Sequence, residues 1–386
     1  MPKRPKFKGF GGCLLVLEDS IRLTEWIAYH YAMLPLSRLT IALDPKNSPT
    51  SIQKIVELQE RWYPFGLDIQ LWYNDSYVER QDIREWLLGL RGGRNPQTTI
   101  KGPDHHDERQ CQFWSACMRD HKINGQSWVY LSDSDEYLTY NYVHQDENAS
   151  RYEDILLGWK PKEKMDEERA LAMPFRQTLP SIDISKNKDN INNKILTYLD
   201  NQTFPACMRV PCLYFGIDES TDEEIQRDIP AEIDARKFST LRYRKYQARR
   251  PGDFSKAMVD VSRINMEYLV RNQCHYQPNP VYDVCGYNGL YESGTDYMSS
   301  IFRLNHYHGS WEAFEERSSD FRGDRAAFYQ KRLGLYGPFT TDLGDDDLRP
   351  WIHHLIHRVG GNIETAKALL TPPNKTDENS SNVEPQ

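Results

Sequence analysis

Three carboxylates crowd one short stretch of the chain, at Asp133, Asp135 and Glu136, directly after the apolar run Trp128–Leu131. Carboxylates that lie close together repel each other, and a divalent cation removes that cost. Mg²⁺ and Mn²⁺ are hard ions that prefer carboxylate oxygen. The spacing therefore predicts a Mn²⁺ or Mg²⁺ site with Asp133 and Asp135 as ligands. The alternative is an acidic surface turn, because Asp and Ser also favour turns.

Further acidic side chains follow two other apolar runs. Glu18 and Asp19 come after Cys13–Leu17, and Asp44 comes after Leu39–Leu43. Ligands of open α/β sheets bind outside the carboxyl ends of the strands, so these residues are candidates to contact a nucleotide. Helix capping is their alternative role. The chain has no Gly-x-Gly-x-x-Gly or Walker-type loop, which disfavours a dinucleotide or P-loop site.

The elements that must position these side chains alternate between strands and helices. Four apolar runs predict strands, at Cys13–Leu17, Leu39–Leu43, Leu67–Trp72 and Trp128–Leu131. Helical periodicity predicts helices from Ile21 to about Met33 with Ser20 as N-cap, from Thr50 to about Trp62, and from Asp107 to about Lys122. Alternation with short connections predicts an α/β fold with a mixed, mainly parallel sheet flanked by helices.

The second half of the chain is more polar. It predicts an edge strand at Leu171–Phe175, a strand over Cys207–Phe215 and a helix from Ser310 to about Arg317. We divide the chain into an N-terminal extension (1–12), one large domain (13–330), a C-terminal helical segment (331–370) and a tail (371–386). The composition of the tail predicts disorder.

The composition excludes several classes of protein. The net charge is −8, and the chain lacks a long basic run, so we expect no nucleic-acid partner. It also lacks an apolar run of the roughly 18 to 20 residues that a transmembrane helix needs. The seven cysteines include no C-x-x-C pair, which disfavours a zinc site and leaves any disulfide pairing open. Five N-x-S/T sequons slightly favour a secretory compartment.

An ordered set of motifs resembles glycosyltransferase family 92, a GT-A type family related to family 2 glycosyltransferases. The set extends from about residue 12 to about residue 320. Its members are Glu18-Asp19 with Leu23-Thr24-Glu25-Trp26-Ile27-Ala28-Tyr29-His30, Gln110-x-x-Phe113-x-x-x-Cys117, Trp128 to Leu138, Phe215-Gly216, Phe254 to Val259 with the later His275, and Asn305-His306-Tyr307 with Ser310 to Arg317.

The resemblance implies a GT-A-like, Rossmann-type fold and an inverting, metal-dependent glycosyltransferase. Such an enzyme moves a sugar, with galactose as one candidate, from a nucleotide-sugar such as a UDP-sugar to a glycan acceptor. Relatives are Golgi enzymes with an N-terminal membrane anchor. We therefore expect the Golgi or secretory pathway, although no targeting segment is visible in this sequence.

The resemblance also implies roles for individual residues. His306 becomes the third metal ligand beside Asp133 and Asp135, since imidazole suits Mn²⁺ more readily than Mg²⁺. The donor-binding candidates are Glu18, Asp19, Asp44, Asp133 and Lys256, with Arg242 and Arg244 as other possible phosphate ligands. An inverting transfer needs a general base, for which Asp218 and Glu219 are the candidates.

Two other functions remain open at this point. A non-catalytic protein of the same fold could bind a sugar or nucleotide, although both carboxylates of the Asp-x-Asp motif are kept. A metal-dependent phosphoesterase could use His105, His106 and Asp133, and it would cleave phosphate esters without an acceptor sugar.

Overall fold

The computed structural model describes residues 9–79, 85, 106–140, 206–210, 212–216, 219–247, 256–270, 302–307, 340–344 and 348–373. Within these ranges the chain forms eleven strands, arranged in two sheets. The strands are β1 (Phe10–Val16), β2 (Leu36–Leu43), β3 (Asp68–Trp72), β4 (Trp128–Leu131), β5 (Glu136–Tyr140), β6 (Cys207–Val210), β7 (Cys212–Phe215), β8 (Lys245–Gln247), β9 (Lys256–Asp260), β10 (Phe302–Tyr307) and β11 (Thr340–Gly344).

The first sheet has the order β3-β2-β1-β4-β9-β6. Its first four strands are all parallel, and β9 and β6 add two antiparallel pairings. The predicted α/β class with a mixed, mainly parallel sheet is confirmed, and the four predicted core strands are neighbours. Parallel pairing aligns the carboxyl ends of β1, β2, β3 and β4 along one edge, which brings the loops with the acidic residues together.

The first strand begins at Phe10, three residues before the predicted Cys13. Two glycines extend the strand there, where side chains of a helix and of β2 leave little room for a Cβ atom. A Cβ atom added at Gly11 would lie 2.5 Å from His121 Nδ1, and one at Gly12 would lie 3.0 Å from Leu39. A search for apolar runs misses such a segment, since glycine contributes no apolar side chain.

The second sheet has the order β11-β8-β7-β10-β5. β10 pairs antiparallel with β5 and parallel with β7. The single strand predicted over Cys207–Phe215 is wrong, because β6 belongs to the first sheet and β7 to the second. Pro211 stands between them in the sequence, and proline has no N–H to donate to a continuous ladder.

The helices lie on both faces of the first sheet. They are α1 (Ser20–Met33), α2 (Pro49–Trp62), α3 (His106–Ile123), α4 (Asp222–Gln226), α5 (Ser239–Arg242), α6 (Met266–Val270), α7 (Trp351–Arg358) and α8 (Ile363–Leu370), with short 3₁₀ turns at Tyr63–Phe65 and Ala235–Lys237. Leu14 and Val16 of β1 pack in the core that contains α1 and α2, whereas Cys13 and Leu15 pack in the core that contains α3. None of the described helices combines the length and apolar character needed to cross a bilayer.

The three predicted helices each begin one residue earlier than predicted, at Ser20, Pro49 and His106. Asp19, and not Ser20, occupies the N-cap position of α1, where it makes no side-chain capping bond. Its carboxylate instead contacts other side chains, as described below. In α2 the Ser48 hydroxyl accepts the Ser51 N–H at 3.2 Å, and Pro49 takes the first helical position, which suits its missing N–H.

A disulfide between Cys13 and Cys117 joins β1 to α3 inside the second core. Cys111 and Cys207 are disulfide-bonded as well, whereas Cys212 is a buried free thiol. Four of the five described cysteines are therefore oxidised, a pattern that sequence spacing left open.

Several predictions lie outside the described residues. These are the strand at Leu171–Phe175, the helix from Ser310, and most of the extension and the tail. Within the predicted C-terminal helical segment, residues 340–344 form β11, which pairs with β8, before helices α7 and α8 follow.

Candidate functional site

Helix α1 holds strand β5 in place through three side chains on one helical face. The Trp26 indole N–H donates to Glu136 O at 2.9 Å, and the Tyr29 hydroxyl donates to Leu138 O at 3.1 Å. The Leu138 N–H donates to His30 Nε2 at 3.1 Å. These bonds occupy polar groups of an edge strand, which would otherwise be unpaired. The aromatic part of the N-terminal motif thus positions the strand that follows the acidic turn.

The turn between β4 and β5 carries the acidic residues. The Glu136 N–H donates to Asp133 O at 3.2 Å, and the Asp133 N–H donates back to Glu136 Oε2 at 2.9 Å. The Tyr307 N–H donates to Asp135 O at 2.8 Å, which fixes the turn to β10. The backbone of the turn is therefore bonded on both sides, and the carboxylates of Asp133 and Asp135 are held in defined positions.

Asp133 contacts a cation and an amide. Lys256 Nζ lies 2.7 Å from Asp133 Oδ2, and the Gln110 amide of α3 donates to Asp133 Oδ1. The same ammonium lies 3.5 Å from Glu136 Oε1 and 5.1 Å from the centre of the Trp114 ring. Burial alone would lower the pKa of Lys256, but the neighbouring carboxylates raise it above its ordinary value, so the ammonium stays charged.

Asp135 lies between two other basic side chains. Its Oδ2 is 3.4 Å from Arg22 NH1, and its Oδ1 is 3.5 Å from His306 Nε2. Arg22 Nε also lies 3.7 Å from Asp19 Oδ1, and the Ser134 hydroxyl donates to the other oxygen of Asp19. Asp19 is thereby linked to the acidic turn, both directly and through Arg22.

His306 faces two of the carboxylates. Its Nδ1 lies 3.7 Å from Glu136 Oε1, because the register of β10 places His306 opposite Glu136 of β5. Burial by itself would lower the pKa of His306, but Asp135 and a bond to Cys212 raise it well above the usual range. Burial raises the pKa of Glu136 to about 7, against the opposing effect of Lys256. Strand pairing is thus sufficient to bring His306 to the acidic turn.

We call this set of seven side chains the acidic cluster: Asp19, Asp133, Asp135, Glu136, Arg22, Lys256 and His306. It contains four carboxylates and three basic groups, and the basic groups offset most of the carboxylate charge. Repulsion among the carboxylates, from which the sequence argument began, is therefore largely balanced by the protein itself. A metal ion would have to replace part of this internal balance.

The donor atoms nevertheless fit a divalent ion at one point of the cluster. Ligand atoms about 2.1 Å from one ion lie about 3.0 to 3.6 Å apart at bond angles of about 90 to 120°. The 3.5 Å between Asp135 Oδ1 and His306 Nε2 falls in this range. Their side chains keep 14% and 19% of their exposure, so solvent reaches them. Carboxylate with imidazole suits Mn²⁺. Asp133 could join only by exchanging one of its present partners.

A second group of potential ligand atoms lies at Cys13, Cys117 and His121. Among the described residues, only here do three such atoms from different side chains lie within 4.8 Å of one another. The two sulfur atoms form a disulfide, so neither offers a thiolate. Burial lowers the pKa of His121 to about 3. This group is part of the hydrophobic core and does not act as a metal site in the oxidised protein.

Glu18 and Asp44 lie at the same edge of the sheet, but their carboxylates bind backbone groups. Glu18 has a left-handed φ of 51°, accepts the Ser48 N–H and accepts the Ser48 hydroxyl at 3.1 Å. Asp44 is buried and accepts the Lys46 N–H at 2.9 Å. Asn47 links the two loops, since its side-chain oxygen accepts the Glu18 N–H at 2.6 Å and its amide donates to Asp44 O at 3.0 Å.

The candidates for the general base are placed only in part. Asp218 lies outside the described residues. Glu219 is exposed, and its two carboxylate oxygens accept from Arg242 Nε at 2.7 Å and from Arg242 NH2 at 3.0 Å. Arg244 NH1 lies 3.5 Å from Glu224. Both arginines that sequence reasoning considered for phosphate thus contact carboxylates of their own region.

The phosphoesterase alternative cannot be built from the described side chains. His105 lies outside the described residues, and of His106 only the backbone is described. Three members of the site were not chosen from the sequence as site residues: Arg22, Gln110 and Glu136. The last two lie inside the quoted motifs, and Arg22 stands three positions after Asp19, a spacing that places two side chains on one helical face.

Comparison with known proteins assigns no family. No family model matches the chain, and no curated protein is sufficiently similar to count as a relative. The function must therefore be argued from the acidic cluster and its position at the carboxyl edge of the parallel strands.

Proposed function

We propose that the protein is a metal-dependent inverting glycosyltransferase with a GT-A-like fold, which transfers a sugar from a nucleotide-sugar such as a UDP-sugar to a glycan acceptor. One observation carries the proposal. Asp135 and His306 come from opposite halves of the chain and lie 3.5 Å apart beside Asp133, at the carboxyl end of a central parallel strand. This is the edge at which α/β proteins bind nucleotides.

Asp133, Asp135 and His306 are the proposed metal ligands, with Mn²⁺ favoured over Mg²⁺ because of the imidazole. When bound, the metal would neutralise the charge that develops on the diphosphate as the sugar leaves. Gln110 holds the Asp133 carboxylate from the side of α3. The bonds from α1 to β5 keep the backbone of the turn fixed, so that the ligands are positioned before the donor binds.

The donor-binding residues divide into two groups. Lys256 and Asp133 lie in the acidic cluster, where the Lys256 ammonium is placed to hold a phosphate oxygen. Asp19 lies next to the same turn. Glu18 and Asp44 order the loops after β1 and β2, and we assign the base and ribose of the donor to the edge that these loops form. Asp218 and Glu219 are the candidates for the general base.

The oxidised cysteines support a secretory location as part of the proposal. Disulfides persist in oxidising compartments and are rare in the cytosol. Cys13, Cys111, Cys117 and Cys207 are all disulfide-bonded. A Golgi enzyme would fold in such a compartment.

A panel of nucleotide-sugars tests the proposed function. Each donor is incubated with the protein and Mn²⁺, and the released nucleotide is measured with and without a chelator. We expect slow, chelator-sensitive release from one donor, which an acceptor glycan accelerates. If a nucleotide-sugar binds but no nucleotide is released and no sugar is transferred, the result favours the non-catalytic alternative. The acidic cluster is consistent with that alternative, because its basic groups balance its carboxylates without a metal. Cleavage of simple phosphate esters would favour the phosphoesterase.

A further inference from the structure

Lys256 occupies a special position in the acidic cluster. Its ammonium contacts Asp133 Oδ2 at 2.7 Å and Glu136 Oε1 at 3.5 Å, and its side chain is only 14% exposed. The other oxygen of Asp133 accepts the Gln110 amide. Asp133 therefore offers its carboxylate to Lys256, although the proposed function requires the same carboxylate for a metal ion.

The two cations exclude each other at this carboxylate. An ion about 2.1 Å from an oxygen of Asp133 would lie within a few ångström of an ammonium on the same carboxylate. Two positive charges at that distance repel strongly in a partly buried site. Lys256 must therefore leave Asp133 when the ion binds, and its flexible four-carbon stem permits this without movement of β9.

A diphosphate gives the displaced ammonium a new partner. Lys256 is the first residue of β9, which pairs antiparallel with β4, so its stem starts beside the carboxyl end of β4. Asp133 lies in the turn that follows β4. A phosphate oxygen bound to an ion at Asp133 would lie close to the displaced ammonium. The ammonium would then exchange a carboxylate for a phosphate and keep a charge-assisted hydrogen bond.

We propose that Lys256 is an internal counter-cation that competes with the metal for Asp133 and moves to the diphosphate of the donor when both bind. This inference rests on the proposed function and adds a regulatory property to its site. The metal alone binds weakly, because it must displace Lys256 without compensation. A nucleoside diphosphate removes this cost, so each ligand strengthens the binding of the other by the same factor.

Metal binding without turnover tests the exchange. Mn²⁺ affinity is measured by titration calorimetry for the wild type and for Lys256→Met, with and without UDP. Methionine keeps the apolar stem and removes the charge. We expect Lys256→Met to bind Mn²⁺ alone about 10-fold more tightly, because the variant removes a positive charge that repels the ion. We also expect UDP to increase Mn²⁺ affinity less in this variant than in the wild type.

Two further variants serve as controls. Lys256→Arg keeps a cation beside Asp133, so its Mn²⁺ affinity without UDP should stay near that of the wild type. Lys122→Met removes an ammonium that donates to the backbone oxygens of Val261 and Ser262, outside the acidic cluster, and should leave Mn²⁺ affinity unchanged. A thermal melt of each variant identifies any that fails to fold, and Lys256→Gln replaces Lys256→Met in that case.

The possible results separate this inference from the proposed function. If Lys256→Met binds Mn²⁺ no more tightly than the wild type while the wild type transfers sugar, the exchange is refuted and the function stands. If Lys256→Met binds Mn²⁺ more tightly but no donor is cleaved, the exchange stands and the transferase proposal fails. If neither protein binds Mn²⁺, with or without UDP, both are refuted.

Discussion

Two groups of acidic residues lie at the same edge of the parallel sheet, and they are held in different ways. The Glu18 and Asp44 carboxylates both accept hydrogen bonds from backbone N–H groups of the loop after β2. The Asp133 and Asp135 carboxylates contact the side chains of Lys256, Arg22 and His306. Both groups are carboxylates after a strand, so sequence position alone does not distinguish them.

The two groups differ in whether a carboxylate can give up its present hydrogen-bond partner when a ligand binds. A backbone N–H stays where the fold puts it, so a ligand that takes its carboxylate leaves a polar group unpaired. A lysine or arginine side chain can rotate and bind another anion. Glu18 and Asp44 are therefore committed to the shape of their loops, whereas Asp133 and Asp135 can change partners. A ligand site needs partners of the second kind.

Two histidines show the same contrast. His30 lies between Trp26 O at 2.8 Å and the Leu138 N–H at 3.1 Å, and burial lowers its pKa to about 3. His306 contacts carboxylates, and Asp135 raises its pKa in spite of burial. Burial keeps His30 neutral, whereas the acidic cluster favours the charged form of His306.

The largest effect should come from Asp135→Asn. We expect a loss of Mn²⁺-dependent turnover on the order of 100-fold or more. Mutation of a residue that only hydrogen-bonds to a metal ligand already lowers metal affinity or activity about 10- to 100-fold. The turn should remain folded, because the Asp135 backbone oxygen still accepts the Tyr307 N–H. Donor hydrolysis and thermal melts are the measurements, and Asp68→Asn, whose carboxylate pairs with the buried Arg38 outside the acidic cluster, is the control. Full, chelator-sensitive activity in Asp135→Asn would refute the metal assignment.

The next effect concerns the pH dependence of stability. With a pKa of about 3 in the folded protein, His30 stays neutral while the unfolded chain takes up a proton below about pH 6.5. Its contribution is therefore present above pH 6.5 and is lost as the pH falls towards 3. At pH 5 the loss is about 2 kcal/mol.

The measurement is the free energy of unfolding in urea between pH 7 and pH 5. His30→Gln should show a shallower decrease than the wild type, although it is less stable at pH 7. His357→Gln, at an exposed position of α7, should keep the wild-type slope. Equal slopes in all three proteins would contradict the view that burial keeps His30 neutral in the folded protein.

The fold was largely predictable because its core is built from strong local signals. β4 was predicted to the residue, and α2 and β3 within one residue, since continuous apolar runs and helical periodicity mark them clearly. β5 and β10 carry Glu136 and His306 of the acidic cluster but were not predicted as strands. These two strands are stabilised by pairing with strands that lie far away in the sequence, so local patterns do not reveal them.

Several residues of the candidate site could be predicted from the sequence, but the side chains that each of them contacts could not. Asp133 and Asp135 follow a buried strand, and His306 lies in a recognisable motif. The role of Lys256 at Asp133 depends on the pairing of β9 with β4, which no spacing reveals. The backbone bonds of Glu18 depend on a left-handed φ, which is uncommon for glutamate. Long-range pairing and local backbone conformation thus decide which acids can exchange partners.

A smaller effect is expected for Glu18→Gln. The amide keeps one acceptor for the Ser48 N–H but weakens a charge-assisted bond, so the free energy of unfolding should fall by about 1 kcal/mol. Turnover per folded molecule should stay within about twofold, because the carboxylate is bound to Ser48 in the loop after β2. Glu60→Gln, exposed on α2, is the control for stability. A large rise in the donor KM would show that Glu18 contacts the donor and would remove the distinction between the two groups of acids.

The smallest effect is expected for Glu219→Gln. Arg242 occupies both oxygens of this carboxylate, and Glu219 is exposed to solvent, so loss of the ion pair should cost less than about 1 kcal/mol of stability. A general base increases the rate about 100-fold or more, and it must accept a proton from the acceptor hydroxyl. A carboxylate that is bound to an arginine through both oxygens is poorly placed to accept that proton. We therefore expect kcat to change by less than about threefold, which would leave Asp218 as the base.

Arg242→Gln is the matched variant, because it frees Glu219 without removing it. If Glu219→Gln lowers kcat at least 100-fold with KM unchanged, while Arg242→Gln keeps most of the activity, Glu219 is the base and Arg242 only its resting partner.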